Sequence, residues 1–204
     1  MGGYAIDLGQ TLRGHDRFGQ AFRRKQALLN RQLQLLDSMQ RRTSEPEALD
    51  DLYRLDSLTT RMRRHAESLI ILSGNTPGRA WRKPVPVIDL IRAAAAEIED
   101  YTRIQVLPVG DTAVNGSAAA DLIHLLAELV DNAASFSPPQ TTVQVRGEQV
   151  ANGFVVEIED RGLGLSAEEY GAINDRLANP PEFDLADSDR LGLFVVGQLA
   201  ARYG

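Results

Sequence analysis

Apolar positions in the first third of the chain recur at helical spacing. Between about Arg17 and Arg42, Phe22, Leu29, Leu33, Leu36 and Met39 fall three, four or seven residues apart in a segment rich in Gln, Leu, Arg and Ala. That pattern predicts one long helix with a single apolar stripe. The segment RRTSEPE then breaks it: Ser44 suits an N-cap, Pro46 the first turn, and Glu47 completes a capping-box pattern. A second helix is predicted to run to about Ser73 and to stop at Gly74, a C-cap residue. Within it Leu55, Met62 and Leu69 share one heptad position, and Leu58, His65 and Leu72 share the other. Two such helices form an αα-hairpin with too little core of its own. Pairing with a second copy as a four-helix bundle would bury the seam. A homodimer through residues 17–73 is therefore expected, with packing against the other half of the chain as the alternative.

Past the stretch NTPGRAWRKPVP (75–86), which reads as a linker, the periodicity changes. A helix is predicted over Val87–Tyr101, a strand over Arg103–Leu107 and a helix over Ala118–Phe136. A hairpin follows, with strands at Thr141–Val150 and Phe154–Asp160 joined through Ala151-Asn152-Gly153. Helices are predicted again at Ala167–Ala178 and Leu191–Tyr203. Helices segregated from a mostly antiparallel sheet make an α+β two-layer sandwich. The expected organisation is a poorly ordered leader (1–16), a helical dimerisation domain (17–74), a linker (75–86) and an α/β sandwich domain (87–204).

Composition narrows the functional classes. With 43% hydrophobic and 25% charged residues, 204 positions suffice for a buried core. No apolar run approaches the roughly 18 residues needed to span a bilayer, and the first residues lack a signal-peptide pattern. Zero cysteines exclude disulfides and thiolate metal sites and point to a reducing cytoplasm. Only His15, His65 and His124 could offer imidazole, too few for a histidine-rich metal site. The net charge of −6 is unevenly spread. Residues 1–83 carry 15 basic against 9 acidic side chains (+6), and residues 84–204 carry 7 against 19 (−12). The basic half fits a solvated helix face, an acidic partner or anionic lipid. The acidic half argues against nucleic acid.

Three clusters carry chemistry. In AELVDNAASFS (127–137) Glu128 and Asn132 lie one helical turn apart, beside the stripe Leu122, Leu126, Leu129 and Ala133. Carboxylate and amide oxygens so placed can share Mg²⁺ directly or through water; alone, they read equally as surface polar residues. In EIEDRGLGLS (157–166), two-residue alternation puts Asp160 on the same face as Phe154, Val156 and Ile158. A carboxylate there needs a donor, which a purine amine supplies, and Gly162 and Gly164 permit close backbone approach. Alone, DxGxG is also an ordinary strand end and turn. In SDRLGLFVVGQLAARYG (188–204) Gly192 opens a helix whose N–H groups can receive phosphate, with Arg190 just before it.

In this order the three clusters resemble the N, G1 and G2 boxes of the GHKL ATPase superfamily. After a two-helix segment, the whole resembles a histidine kinase core. RLDSLTTRMRRHAESLIILSG, LIHLLAELVDNAASFSPP, NGFVVEIEDRGLGLS and RLGLFVVGQLAARYG are similar to actinobacterial sensor-kinase-like proteins encoded in conservons, from about Phe22 to Gly204. The resemblance implies ATP and Mg²⁺ as cofactors. It makes Asn132 a Mg²⁺ ligand, and Glu128 a base or water-orienting group beside the γ-phosphate that reaches Mg²⁺ through water. Asp160 becomes the adenine contact, Gly162 and Gly164 line the nucleotide, Gly192 and Arg190 meet phosphate, and about Asn174 to Asp189 forms an ATP lid. It also implies a cytoplasmic protein at the inner face of a membrane, with roadblock-type and GTPase partners.

The chain departs from the pattern in places. Ser135 stands where many histidine kinases carry a basic residue, and the glycine-rich third box is reduced to Gly192. Where relatives read LDHL, this chain reads Leu55-Asp56-Ser57-Leu58, so Ser57 holds the phosphoacceptor position and His65 is the remaining candidate. His124 is expected at the surface or pocket rim. Superfamily members continue past the position of Gly204, so the module is expected to lack its last strands. Two readings stay open: a kinase-like Mg·ATP-binding core, or a pseudokinase scaffold without phosphoryl transfer.

Overall fold

The computed structural model describes residues 28–72, 81–180 and 191–203. The chain divides into two compact units, Met1–Thr76 and Pro77–Gly204. The expected leader, the start of the first helix and the Gly74 cap lie outside the described residues.

In the first unit, helix α1 (residues 28–40) and α2 (Pro46–Leu72) form a hairpin. Gln40 Nε2 donates to the Leu52 carbonyl at 3.4 Å, and Leu36 and Leu52 are buried. Pro46 is the first helical residue of α2, so the cap position falls on Glu45 rather than Ser44. The heptad residues Leu55, Leu58, Met62 and His65 are exposed on α2, as are Leu35 and Met39 on α1. Ser57 is half-buried.

The second unit opens with β1 (Val85–Pro86) and α3 (Val87–Ala95). A 3₁₀ turn (Tyr101–Arg103) leads into β2 (Ile104–Val106), followed by β3 (Ala113–Val114) and α4 (Gly116–Phe136). The hairpin β4 (Val143–Val150) and β5 (Gly153–Glu159) comes next, then α5 (Ala167–Ala178) and α6 (Leu191–Tyr203). β2 pairs parallel with β4, β4 antiparallel with β5, and β1 pairs antiparallel with β3 in a small separate sheet. Parallel pairing of β2 and β4 requires a crossover, and α4 supplies it. Apolar faces of α3 and α4 (Leu90, Ile91, Ala94, Leu126, Val130) meet Val143, Val145, Phe154, Val156 and Ile158 of the sheet. The architecture is the expected α+β sandwich.

α3 stops at Ala95, short of the predicted Tyr101. The Glu97 and Ile98 amides take the tighter i−3 carbonyls of Ala94 and Ala95, which turns the chain and buries Ile98. Among the described residues no helix is long and apolar enough to cross a membrane.

Candidate functional site

The site is organised around α4. Asn115 caps it, its side-chain oxygen accepting from the Ser117 amide at 3.1 Å. It ends at Phe136 because Ser137 precedes a proline and takes the extended conformation that such a residue prefers (φ −97°, ψ 148°). One face of α4 enters the core, and α6 covers another. Glu128 is therefore only 6% exposed and His124 3%, with Nε2 of the imidazole 3.7 Å from Glu128 Oε1. The expected surface position of His124 is thus corrected: α6 covers what a lone amphipathic helix would leave in water.

Gly192, in the first turn of α6, faces the same carboxylate. A β-carbon on Gly192 would stand 2.5 Å from Glu128 Oε2, so any larger residue there would push the carboxylate aside. At the other end of the helix pair, Asp121 of α4 is buried and receives Arg202 Nη1 and the Tyr203 hydroxyl, each at 2.8 Å. Contacts 121 to 202–203 and 128 to 192 make α4 and α6 antiparallel. They fix the register that sets Gly192 on Glu128. Asn132 lies one turn beyond Glu128 and is half-buried.

Beyond β5, Asp160 is exposed rather than buried, although its side chain turns toward the end of α4. Strand and helix both end before it, so no layer covers it. Its carboxylate is nonetheless held: Oδ1 accepts the Gly162 amide at 2.6 Å and the Ser137 hydroxyl at 3.4 Å. Ser137 Oγ in turn accepts the Arg161 amide at 3.2 Å. A β-carbon at Gly162 would stand 2.8 Å from both Asp160 Oδ1 and the Phe136 carbonyl oxygen, so the loop closes against the end of α4 only with glycine there. Gly164 has φ +72°. Ser166 then caps α5 in a reciprocal box with Glu169, whose carboxyl the Ser166 hydroxyl and amide hold below the usual range.

Sequence reasoning missed Ser137, which bonds the Asp160 carboxylate, and two exposed apolar side chains close by in the chain, Phe136 (77% exposed) before it and Leu163 after Gly162. The signal available was a hydroxyl and an aromatic just before Pro138-Pro139 at a helix end. From Glu128 to Ser137, α4 advances nine residues, about 13 Å at 1.5 Å per residue. Among the described residues no group of three or more His, Asp or Glu could hold a metal ion. Arg190 and most of the expected lid lie outside the described residues; Asn174 to Ala178 finish α5.

Residues 117–204 match the family model described as Histidine kinase-, DNA gyrase B-, and HSP90-like ATPase. The signal transduction histidine-protein kinase/phosphatase MprB of Mycobacterium bovis (strain BCG / Pasteur 1173P2) is 27% identical over 145 residues, which is 67% of this chain and 27% of that protein. MprB of Mycobacterium tuberculosis (strain ATCC 25618 / H37Rv) matches with the same values. The chain thus spans about a quarter of the length of the curated relatives it matches. Among solved structures, the mycobacterial sensor histidine kinase MprB aligns with a TM-score of 0.48 at 26% identity, covering 61% of this chain and 81% of that one. Residues 117–204, within the C-terminal unit, thus resemble the histidine kinase-, DNA gyrase B- and HSP90-like ATPase family, and 67% of the chain is similar to sensor histidine kinases.

Proposed function

We propose that the chain is the cytoplasmic core of a sensor-kinase-like signalling protein that binds Mg·ATP along α4. The observation that carries this reading is that two acidic groups are both anchored on α4. Asp160 is bonded to Ser137 at the end of the helix, and Glu128 within the helix faces Gly192 at the start of α6. Asp160 would accept the purine amine between the apolar flanks of Phe136 and Leu163, while Gly162 and Gly164 let the ligand approach the backbone. Asn132 would ligate Mg²⁺, which neutralises phosphate charge when bound. Glu128 would orient water or accept a proton beside the γ-phosphate. Gly192, the first turn of α6 and Arg190 would receive the phosphates.

Helices α1 and α2 would pair with a second copy through residues 17–73. Support comes from the exposed, heptad-spaced Leu55, Leu58 and Met62 and from exposed Leu35 and Met39. The conservon resemblance further suggests work at the inner face of the membrane with roadblock-type and GTPase partners. A second reading, a pseudokinase scaffold, is favoured by Ser57, which cannot form phosphohistidine. His65 is exposed and is the remaining acceptor candidate.

Isothermal titration of the full chain tests the nucleotide reading. Mg·ATP binding that weakens at least tenfold in Asp160→Ala and Asn132→Ala supports it; no binding by the unaltered chain removes it. Acid-labile, base-stable label from ATP that disappears in His65→Ala would assign the acceptor.

A further inference from the structure

The end of α4, like any helix end, leaves carbonyls without a donor, and here proline removes one that the following chain could supply. The Ala134 carbonyl would ordinarily receive the amide four residues on, but position 138 is proline and has no N–H. Arg103 supplies the donor from elsewhere in the fold. From the 3₁₀ turn before β2, its Nη1 reaches the Ala134 carbonyl at 3.3 Å and Asp100 Oδ2 at 3.2 Å. Nη2 reaches the Pro138 carbonyl and Nε the Thr141 carbonyl, each at 2.9 Å. The side chain is only 14% exposed. The Thr141 amide and hydroxyl close the same turn onto the Pro138 carbonyl, at 2.9 and 2.7 Å.

Ser137 stands inside the segment so clamped, and it is Ser137 that bonds Asp160 and the Arg161 amide. We infer that Arg103 is a positioning residue for the purine end of the site, fixing the end of α4 so that Ser137 presents the Asp160 loop. The inference rests on the nucleotide reading above. A guanidinium fork meets three carbonyls and a carboxylate at once, and a lysine ammonium on a flexible stem cannot span them.

The full chain is titrated with Mg·ATP and with the Mg²⁺ complex of purine riboside triphosphate, which lacks the exocyclic amine. Variants are Arg103→Met, Arg103→Lys, Ser137→Ala and the Arg103→Met/Ser137→Ala double, each checked by circular dichroism. Arg103→Met and Ser137→Ala are each expected to weaken Mg·ATP about tenfold, Arg103→Lys to restore part of that loss, and the double variant to lose no more than Arg103→Met alone. None should weaken the amine-free ligand by more than about twofold. Hydrogen exchange at the Arg161 amide should quicken in both single variants. Equal weakening of both ligands, or Mg·ATP affinity and Arg161 exchange unchanged in Arg103→Met, overturns the inference while leaving the nucleotide reading intact. Failure of the unaltered chain to bind Mg·ATP refutes that reading, and the purine role of Arg103 with it.

Discussion

Gly192→Ala separates the two demands placed on the α4–α6 contact, packing and ligand binding. The added methyl would overlap one atom, Glu128 Oε2 at 2.5 Å; the next neighbours, Cδ and Cβ of the same side chain, stand at 3.6 and 3.8 Å. The clash is therefore relieved by swinging a carboxylate, not by moving backbone. Displacing a buried side chain to admit one methyl costs about 1 kcal/mol, at the low end of the range for overpacking. Alanine in place of glycine in the helix returns about 0.5–1 kcal/mol. The two offset each other, so the melting temperature should change by less than about 4 °C, the shift that about 1 kcal/mol produces in a unit of this size. Binding should not escape so lightly, because the displaced carboxylate leaves its place beside His124 and the methyl fills the approach to the α6 N-terminus. Mg·ATP affinity should fall at least tenfold, about 1.4 kcal/mol. Thermal unfolding followed by circular dichroism and titration calorimetry on the same samples read both. Unchanged affinity, or a melting point lowered by 10 °C or more, would refute the reasoning.

Three further outcomes concern the end of α6 and the helical hairpin. Burial, then the hydrogen bond and charge of Asp121, raise the Tyr203 hydroxyl above its ordinary pKa, so folding favours the protonated phenol. That stability is complete below pH about 10 and is lost as pH rises through the folded value; melting temperatures from pH 8 to 11 should show a shallower alkaline decline in Tyr203→Phe. Burial, then Asp37, raise the Asp56 carboxyl, so its ionised form opposes folding of the helical hairpin at neutral pH. Asp56→Asn should therefore stabilise at pH 7, and the gain should vanish only below about pH 3, where Asp56 is protonated in both states and denaturant titrations of both proteins should coincide. Leu58→Glu/Met62→Glu places charge on the exposed heptad stripe and should turn a dimer into a monomer by light scattering, with helicity in circular dichroism retained.

What the sequence made legible was local. α5 and α6 fall where their apolar spacing put them, and the β4–β5 hairpin starts within two residues of its predicted ends. Two-residue strands such as β1 and β3 are too short to carry any period, and they form only because Val85 and Pro86 meet Val114 and Ala113. The misreadings at the site were questions of what covers what. His124 reads as a surface or pocket-rim residue because nothing in its own helix announces that α6 will lie over it, pinned by Asp121 to Arg202 across 81 residues of sequence. Strand alternation predicts Asp160 on the buried face, but Asp160 lies one residue past the end of β5 and is exposed. Arg103 gave no signal, since its role depends on a proline 35 positions later that leaves a helix carbonyl without a donor.

The most direct measurement is a crystal structure of the full chain with Mg²⁺ and a non-hydrolysable ATP analogue. The account predicts the purine amine about 3 Å from Asp160, as a hydrogen bond requires, Mg²⁺ on Asn132, and the phosphates against the first turn of α6 at Gly192. A purine bound elsewhere, or no nucleotide at saturating concentration with Asp160 still bonded to Ser137 and Gly162, would contradict it.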